Sequence, residues 1–302
     1  MISFSFPSAD GKSTLACYQN GCAQPRAMLQ ISHGMCEYIE RYREFAEYLG
    51  ERGYLVFGHD ALGHGSTAKS NDGLGFTAEG GGADYLVEDV HNLSLYMKKQ
   101  YPSLPLILFG HSMGSFIARE VTARYGADYN GAIYCGTAGP QMPAGLGKLV
   151  ASLLIVCKGE RHRSTFLAKI AFMGYNKKYK SVRTACDWLT RDEAVVDRYL
   201  ADSRCRYIFT LRAYHDLFSL VKSVSKRNWA RKLPKELPVL VVSGDMDPVG
   251  SWGKGPRAVA DRLTRAGVPT TLRLYPDMRH EILNEIGREQ VWEDMEEWLR
   301  KF

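Results

Sequence analysis

Leu106-Ile-Leu-Phe-Gly-His-Ser112-Met-Gly114 joins an apolar run with strand character to a helix-compatible run, Ser115-Phe-Ile-Ala-Arg-Glu-Val-Thr-Ala-Arg-Tyr125. G-x-S-x-G at a strand-to-helix junction is the pattern of a nucleophile elbow. So tight a turn leaves no room for side chains on either side of the serine. Gly110 and Gly114 therefore supply only hydrogens, and the Ser112 hydroxyl is pushed out above the start of the helix. A plain glycine-rich turn would carry the same five residues, so the rest of the chain must separate the two readings.

Outward from this junction the pattern alternates. Period-two segments at Ile2–Phe6 and Ser13–Gln19, joined through Asp10-Gly11, predict a hairpin. Buried-strand candidates follow at Ala27–Ser32, Tyr54–His59, Pro105–Phe109, Gly131–Cys135, Pro238–Ser243 and Thr270–Tyr275. Helical patterns lie between them at Glu40–Arg52, Asp84–Gln100, Ser115–Gly126 and Pro256–Ala266, with a last one near Glu285–Lys301. Strands alternating with helices predict an α/β fold with a mostly parallel sheet covered on both faces. Its functional loops should gather at the carboxyl ends of the strands.

The alternation stops between about Pro140 and Leu220. That stretch opens with Gly139-Pro-Gln-Met-Pro-Ala-Gly-Leu-Gly147 and shows no clear strand, so several short helices inserted after the strand near Cys135 are expected. The expected division is a core of residues 1–140 and 213–302 and a helical lid of 141–212. Charge marks the same piece: the chain carries +6 overall, while 141–212 holds 14 Lys+Arg against 6 Asp+Glu. Such asymmetry points to a separately built segment.

At 302 residues and 45% hydrophobic the chain can bury a large core. No apolar run reaches the ~18 residues of a membrane-spanning helix. The Met-Ile-Ser-Phe-Ser-Phe-Pro start lacks the pattern of a secretory signal. The seven cysteines (17, 22, 36, 135, 157, 186 and 205) form no C-x-x-C pair. They are expected to be free thiols acting as small buried hydrophobes, which favours a cytoplasmic location.

A serine hydroxyl needs a neighbouring base, an orienting acid and donors for the oxyanion. With this elbow the chain order is Ser, then Asp or Glu, then His. Pro238-Val-Leu-Val-Val-Ser243 leads into Gly244-Asp-Met-Asp247-Pro, where two carboxylates compete. Asp245 sits at the strand end, where Asp commonly caps a turn; Asp247, held by Pro248 and projecting further into the loop, is the favoured acid. Of the eight histidines only His280 lies beyond the acid, in the loop after the last strand. One oxyanion donor should be the backbone N–H of Met113, the residue after the nucleophile. The second should come from Ile31-Ser-His33-Gly34-Met35, with the N–H of Met35 as candidate. Gly34 allows close backbone approach, and His33, far upstream of the serine, suits a role in orienting that loop.

Taken together, four blocks resemble the monoacylglycerol lipase branch of the α/β-hydrolases, also described as the serine aminopeptidase S33-like or lysophospholipase group. They are Ser32-His-Gly-Met-Cys-Glu-Tyr-Ile-Glu-Arg-Tyr42, His59-Asp-Ala-Leu-Gly-His-Gly-Ser66, Gly110-His-Ser-Met-Gly114, and the Asp247 and His280 loops. The resemblance spans roughly residues 10–140 and 213–302. It implies an eight-stranded sheet with the first strand antiparallel and a helical lid over the site; separately, no cofactor is expected. It also implies the roles of nucleophile, acid and base for Ser112, Asp247 and His280. Glu37 stands in the matching oxyanion loop, preceded by Cys36 where the family usually has Gly or Ser. The lid resembles the family only in position and in Trp188-Leu-Thr-Arg-Asp-Glu193. The expected activity is hydrolysis of carboxylic esters of single-acyl lipids, of monoacylglycerol or lysophospholipid type, through an acyl-enzyme on Ser112.

Two further readings share these residues. An aminopeptidase or amidase would use the same triad and need lid acids for an N-terminal amine; Glu160, Asp187, Asp192, Glu193, Asp197 and Asp202 are available. A non-enzymatic receptor would not need all three catalytic positions filled, and here they are. Leu149, Val150, Leu153, Leu154, Val156, Phe166, Ile170, Phe172 and Met173 could line an acyl tunnel or simply pack the lid. Lys158, Arg161, Arg163, Lys177, Lys178 and Lys180 suggest peripheral contact with an anionic membrane. Nucleic acid is not an expected partner, because no stacking or groove-binding motif accompanies the charge. Gly11-Lys-Ser13 lacks the upstream glycine of a P-loop. Gly73-Leu-Gly-Phe-Thr-Ala78 does not lead from strand to helix as a dinucleotide loop does, and no metal-ligand spacing occurs.

Overall fold

The structure is a computed structural model that describes residues 1–140 and 144–302. Residues 141–143, where the inserted segment was expected to begin, lie outside it. The strands are β1 (Ile2–Pro7), β2 (Thr14–Gln19), β3 (Ala27–Ser32), β4 (Tyr54–His59), β5 (Leu106–His111), β6 (Gly131–Cys135), β7 (Val239–Gly244) and β8 (Thr270–Tyr275). Among the described residues they form one eight-stranded sheet in the order β1-β2-β4-β3-β5-β6-β7-β8. The helices are α1 (Arg43–Gly50), α2 (Gly82–Gln100), α3 (Met113–Tyr125), α4 (Ala144–Lys158), α5 (Thr165–Ala171), α6 (Glu193–Ala201), α7 (Leu211–Ser225), α8 (Lys254–Arg265) and α9 (Arg288–Leu299).

One expectation about direction needs correcting. β2, not β1, is the strand that opposes the rest: it pairs antiparallel with both β1 and β4, while β3 through β8 pair parallel. A hairpin inverts the chain once, so β1 returns to the common direction. Asp10 closes that hairpin, its Oδ1 accepting from the N–H groups of Lys12 and Ser13 at 2.8 and 2.7 Å.

The central strands are buried along their whole length. Successive side chains alternate between two cores. Met28, Leu55, Phe57, Leu106 and Leu108 join the layer that includes residues of α2, α3 and α7. Leu29, Ile31, Val56, Ile107 and Phe109 join the layer that includes residues of α1 and α9. Apolar residues on both faces, enriched in β-branched and aromatic types, make these segments strands that only a covered parallel sheet can use.

Among the described residues between β6 and β7 there is no strand of the sheet, and the regular elements are helices. Two of them, α4 and α7, run fifteen residues each rather than being short. The expected boundary at 212/213 falls inside α7. Thr210 caps that helix, its hydroxyl accepting from Ala213 N–H at 3.3 Å, and an unbroken apolar face (Leu211, Tyr214, Leu220, Val221, Val224) is buried. No break in periodicity could occur there. All seven cysteines are free, but Cys157 is exposed and Cys22 and Cys186 are half-buried, so only four fit the role of buried hydrophobe.

Candidate active site

Four loops meet at the carboxyl ends of β3, β5, β7 and β8. At the end of β5 the turn is as tight as the spacing requires. A Cβ on Gly114 would lie 1.9 Å from the Ser32 carbonyl oxygen, and one on Gly110 would lie 2.3 Å from the Gly114 carbonyl oxygen. Ser112 adopts φ 51° and ψ −119°, a conformation L residues rarely take. Its N–H donates to the Cys135 carbonyl at 3.0 Å, and its carbonyl accepts from the N–H and hydroxyl of Ser115 at 2.9 and 2.6 Å. The neighbouring strand and the first turn of α3 thus hold the strained residue. Strain that the surroundings over-determine is a mark of a functional turn.

The loop after β7 separates the two competing carboxylates. Asp245 Oδ1 accepts from the Asp277 N–H at 2.8 Å, a turn contact between loops. Asp247 is fully buried, and its Oδ1 lies 3.0 Å from Nδ1 of His280. Asp247 is fixed from behind by the Val249 N–H on Oδ1 at 2.8 Å and the Ser243 hydroxyl near Oδ2 at 3.2 Å.

In the loop after β3, His33 Nε2 accepts from the Ala61 N–H at 2.9 Å, so the proton is on Nδ1, which lies 2.7 Å from the Gly34 carbonyl. His33 thereby ties the loop to the one after β4. There Asp60 accepts from Ile39 N–H at 2.9 Å and Ser66 N–H at 2.7 Å. Glu37 sits under the same turn: the Gly34 N–H donates to its Oε1, leaving no space for a side chain at Gly34. Met113 N–H, first in α3, has no carbonyl four residues back within the helix and, among the described residues, no other hydrogen-bond partner.

A buried charge cluster that the sequence reading missed links these loops. Glu37 contacts Tyr42 Oη at 2.8 Å, His111 Nδ1 at 3.0 Å and Arg41 at 3.0 Å. Arg41 forms a bidentate pair with Glu281 at 2.8 and 2.7 Å. His111 Nε2 lies 3.3 Å from the His280 carbonyl, and the two imidazole rings are 4.7 Å apart. Burial opposes ionisation of Glu37, yet its bond to His111 and the charges of His111 and Arg41 hold it well below the usual carboxylate range. Burial likewise pushes His111 down, but Glu37 reverses this and raises it. Glu37 and Arg41 stand four residues apart, but Glu37 precedes the helical turn that begins at Ile39, so their spacing gave no helical signal. Glu281 was not legible either, because 240 residues separate it from Arg41.

Gly34, Met35, Ser112, Met113 and His280 line one cavity of about 810 Å³, whose walls include Phe116, Phe172, Tyr175, Trp188 and Leu217. Of the nine apolar residues considered for an acyl tunnel, only Phe172 is among its lining residues. Val150 and Leu154 pack against the core, while Leu149, Leu153, Val156, Phe166, Ile170 and Met173 are exposed. Among the described residues, none of the six acids considered for an amine lines the cavity. Glu160 pairs with Arg212, Asp197 with Arg183 and Asp202 with Arg204; Asp187 and Asp192 accept from nearby backbone N–H groups.

The family model for serine aminopeptidase, S33, matches residues 23–287. A monoacylglycerol lipase of Mycolicibacterium smegmatis is 29% identical, over 91% of this chain and 88% of its own. A monoglyceride lipase of Mus musculus is 26% identical over 97% of this chain and 88% of its own. Among solved structures, a thermostable carboxyl esterase from Bacillus coagulans in complex with glycerol superposes with a TM-score of 0.94. It is 30% identical, covering 99% of this chain and 98% of the esterase.

Proposed function

This chain belongs to the serine aminopeptidase S33 family, and from that premise we propose that it hydrolyses carboxylic esters of single-acyl lipids, of monoacylglycerol or lysophospholipid type. One observation carries the reading: the strained Ser112 opens onto the same cavity as His280, Met35 and Met113, with Asp247 behind the imidazole. Ser112 attacks the ester carbonyl while His280 takes its proton. Asp247 holds the Nδ1–H tautomer and stabilises the imidazolium. The N–H groups of Met35 and Met113 receive the oxyanion. His280 returns the proton to the leaving alcohol, and water then releases the acyl group by the same steps. The mostly apolar wall suits one acyl chain, and no free carboxylate from the inserted segment offers itself to an amine. On p-nitrophenyl esters of graded chain length, kcat/KM should rise from acetyl to medium chains by about 10-fold or more, as each buried methylene adds transfer energy. Proline anilides should be poor substrates. A preference for the anilides would point instead to aminopeptidase chemistry.

Residues 144–210 serve in this reading as the lid. Val156 is 86% exposed, Met173 76% and Leu153 60%, and these side chains share the segment with Lys148, Lys158, Lys169, Lys177, Lys178 and Lys180. Exposed apolar residues amid lysines suit peripheral contact with an anionic bilayer from which substrate is drawn. Among the described residues no helix is long and apolar enough to cross a membrane. Free cysteines suit a reducing compartment, so cytoplasmic residence belongs to the proposal. Binding to liposomes at low salt should strengthen with the anionic lipid fraction and weaken as salt is added. Equal binding to neutral and anionic vesicles removes the membrane part alone.

A further inference from the structure

The loop that carries His280 does not stand by itself. Asp187–Arg191, from the segment inserted between β6 and β7, runs alongside residues 279–285. The His280 N–H approaches the Trp188 carbonyl at 3.4 Å, and the Glu281 N–H donates to the Leu189 carbonyl at 2.7 Å. Arg279 donates to the carbonyls of Asp187 and Thr190 at 2.5 and 3.1 Å, and the Thr190 hydroxyl to that of Asn284 at 3.2 Å. At the end of this seam lies Glu285, whose side chain is 0% exposed. Its Oε1 accepts from the backbone N–H groups of Arg191 at 3.0 Å and Arg279 at 2.9 Å. Its Oε2 accepts from the Arg191 Nε–H at 3.0 Å and the Ile286 N–H at 2.9 Å. Four donors thus fill the four lone-pair positions of one carboxylate, and they come from both segments. The seam brings the Trp188 indole to 5.0 Å from the His280 imidazole, and Phe172 and Tyr175 pack in turn on Trp188.

We infer that Glu285 and Arg191 are positioning residues for the His280 imidazole, so that the inserted segment completes the catalytic base as well as covering the cavity. Asp247 approaches the ring at Nδ1 only. A ring held at one edge can still swing about that edge. Trp188 blocks one such swing, and the Glu285 clasp holds Trp188 in place through the backbone on both sides. A carboxylate suits this place because it is acceptor-only. Gln in its stead would turn an N–H₂ group toward two of the four donors. A burial cost borne by four charge-assisted bonds is repaid only in the full set.

This inference rests on the assignment of His280 as the base, and the test separates the two. Glu285→Gln and Arg191→Ala should each lower kcat on p-nitrophenyl butyrate about 10- to 100-fold with KM nearly unchanged, the loss expected for small misplacement of a reacting group. The acid limb of the kcat/KM profile should move in both variants, which a change in overall stability alone does not produce. Arg191 is partly exposed, so its variant should fold even if Glu285→Gln does not, and millimolar guanidinium should restore part of the Arg191→Ala activity. Wild-type kcat and pH profile in folded Arg191→Ala overturn the inference even where Ser112→Ala and His280→Ala are inactive. Full activity in His280→Ala overturns the assignment of the base and the inference with it.

Discussion

Ser112→Ala should lower kcat at least about 10⁴-fold while leaving the fold intact, because a triad acts as a unit and its nucleophile has no substitute. The hydroxyl itself makes no hydrogen bond that holds the turn: the Ser112 N–H and carbonyl do that work, to Cys135 and Ser115. Alanine keeps both groups and the same positive φ, so the thermal midpoint should hardly move. Ser112→Gly makes the same point from the other side. At φ 51° and ψ −119° the residue stores roughly 1–3 kcal/mol of backbone strain. Glycine relaxes part of it at the cost of extra freedom in the unfolded chain. The glycine variant should therefore be inactive yet at least as stable as the parent, a trade of stability for function. A fluorophosphonate probe should label the parent at Ser112 and neither variant. Turnover that survives in Ser112→Ala would falsify the acyl-enzyme mechanism outright.

The second large effect concerns the acid. Asp247→Asn should reduce kcat by about 10³-fold or more, whereas Asp245→Asn should stay within about threefold of the parent. The amide is nearly isosteric, and the Val249 N–H at 2.8 Å from Oδ1 favours its carbonyl oxygen in that place. Geometry is then largely kept and the lost negative charge carries the effect. That charge matters because a fully buried imidazolium forms in the transition state beside it, where the surroundings screen little. Asp245 keeps its turn contact to the Asp277 N–H as an asparagine, since an amide oxygen accepts as well as a carboxylate there. Kinetics of the two variants side by side decide the matter. The larger loss in Asp245→Asn would transfer the role of acid to that residue.

Much of this protein is written locally. Strand positions at Ala27–Ser32, Tyr54–His59 and Gly131–Cys135 were readable to the residue, since a fully buried strand needs a mostly apolar run and turn residues at each end. The elbow was readable because its glycines answer to contacts within and beside the turn. Helix ends were less so. The last helix begins at Arg288 rather than near Glu285, because Glu285 spends its carboxylate on Arg191 and Gly287 takes φ 85° before the first helical residue.

By itself the chain determined the α/β alternation, the serine, the order in which acid and base must follow it, and the short list of candidates for each. Local sterics and periodicity act within a few residues, and those features need nothing more. Only the tertiary structure set Asp247 beside His280 and Asp245 in a turn contact, reversed β2 rather than β1, and ran α7 through the expected domain boundary. It alone joined Arg41 to Glu281 and Arg191 to Glu285, across 240 and 94 residues. A buried charge takes whichever opposite charge the packed core brings within reach, and its own stretch of chain carries no mark of that partner.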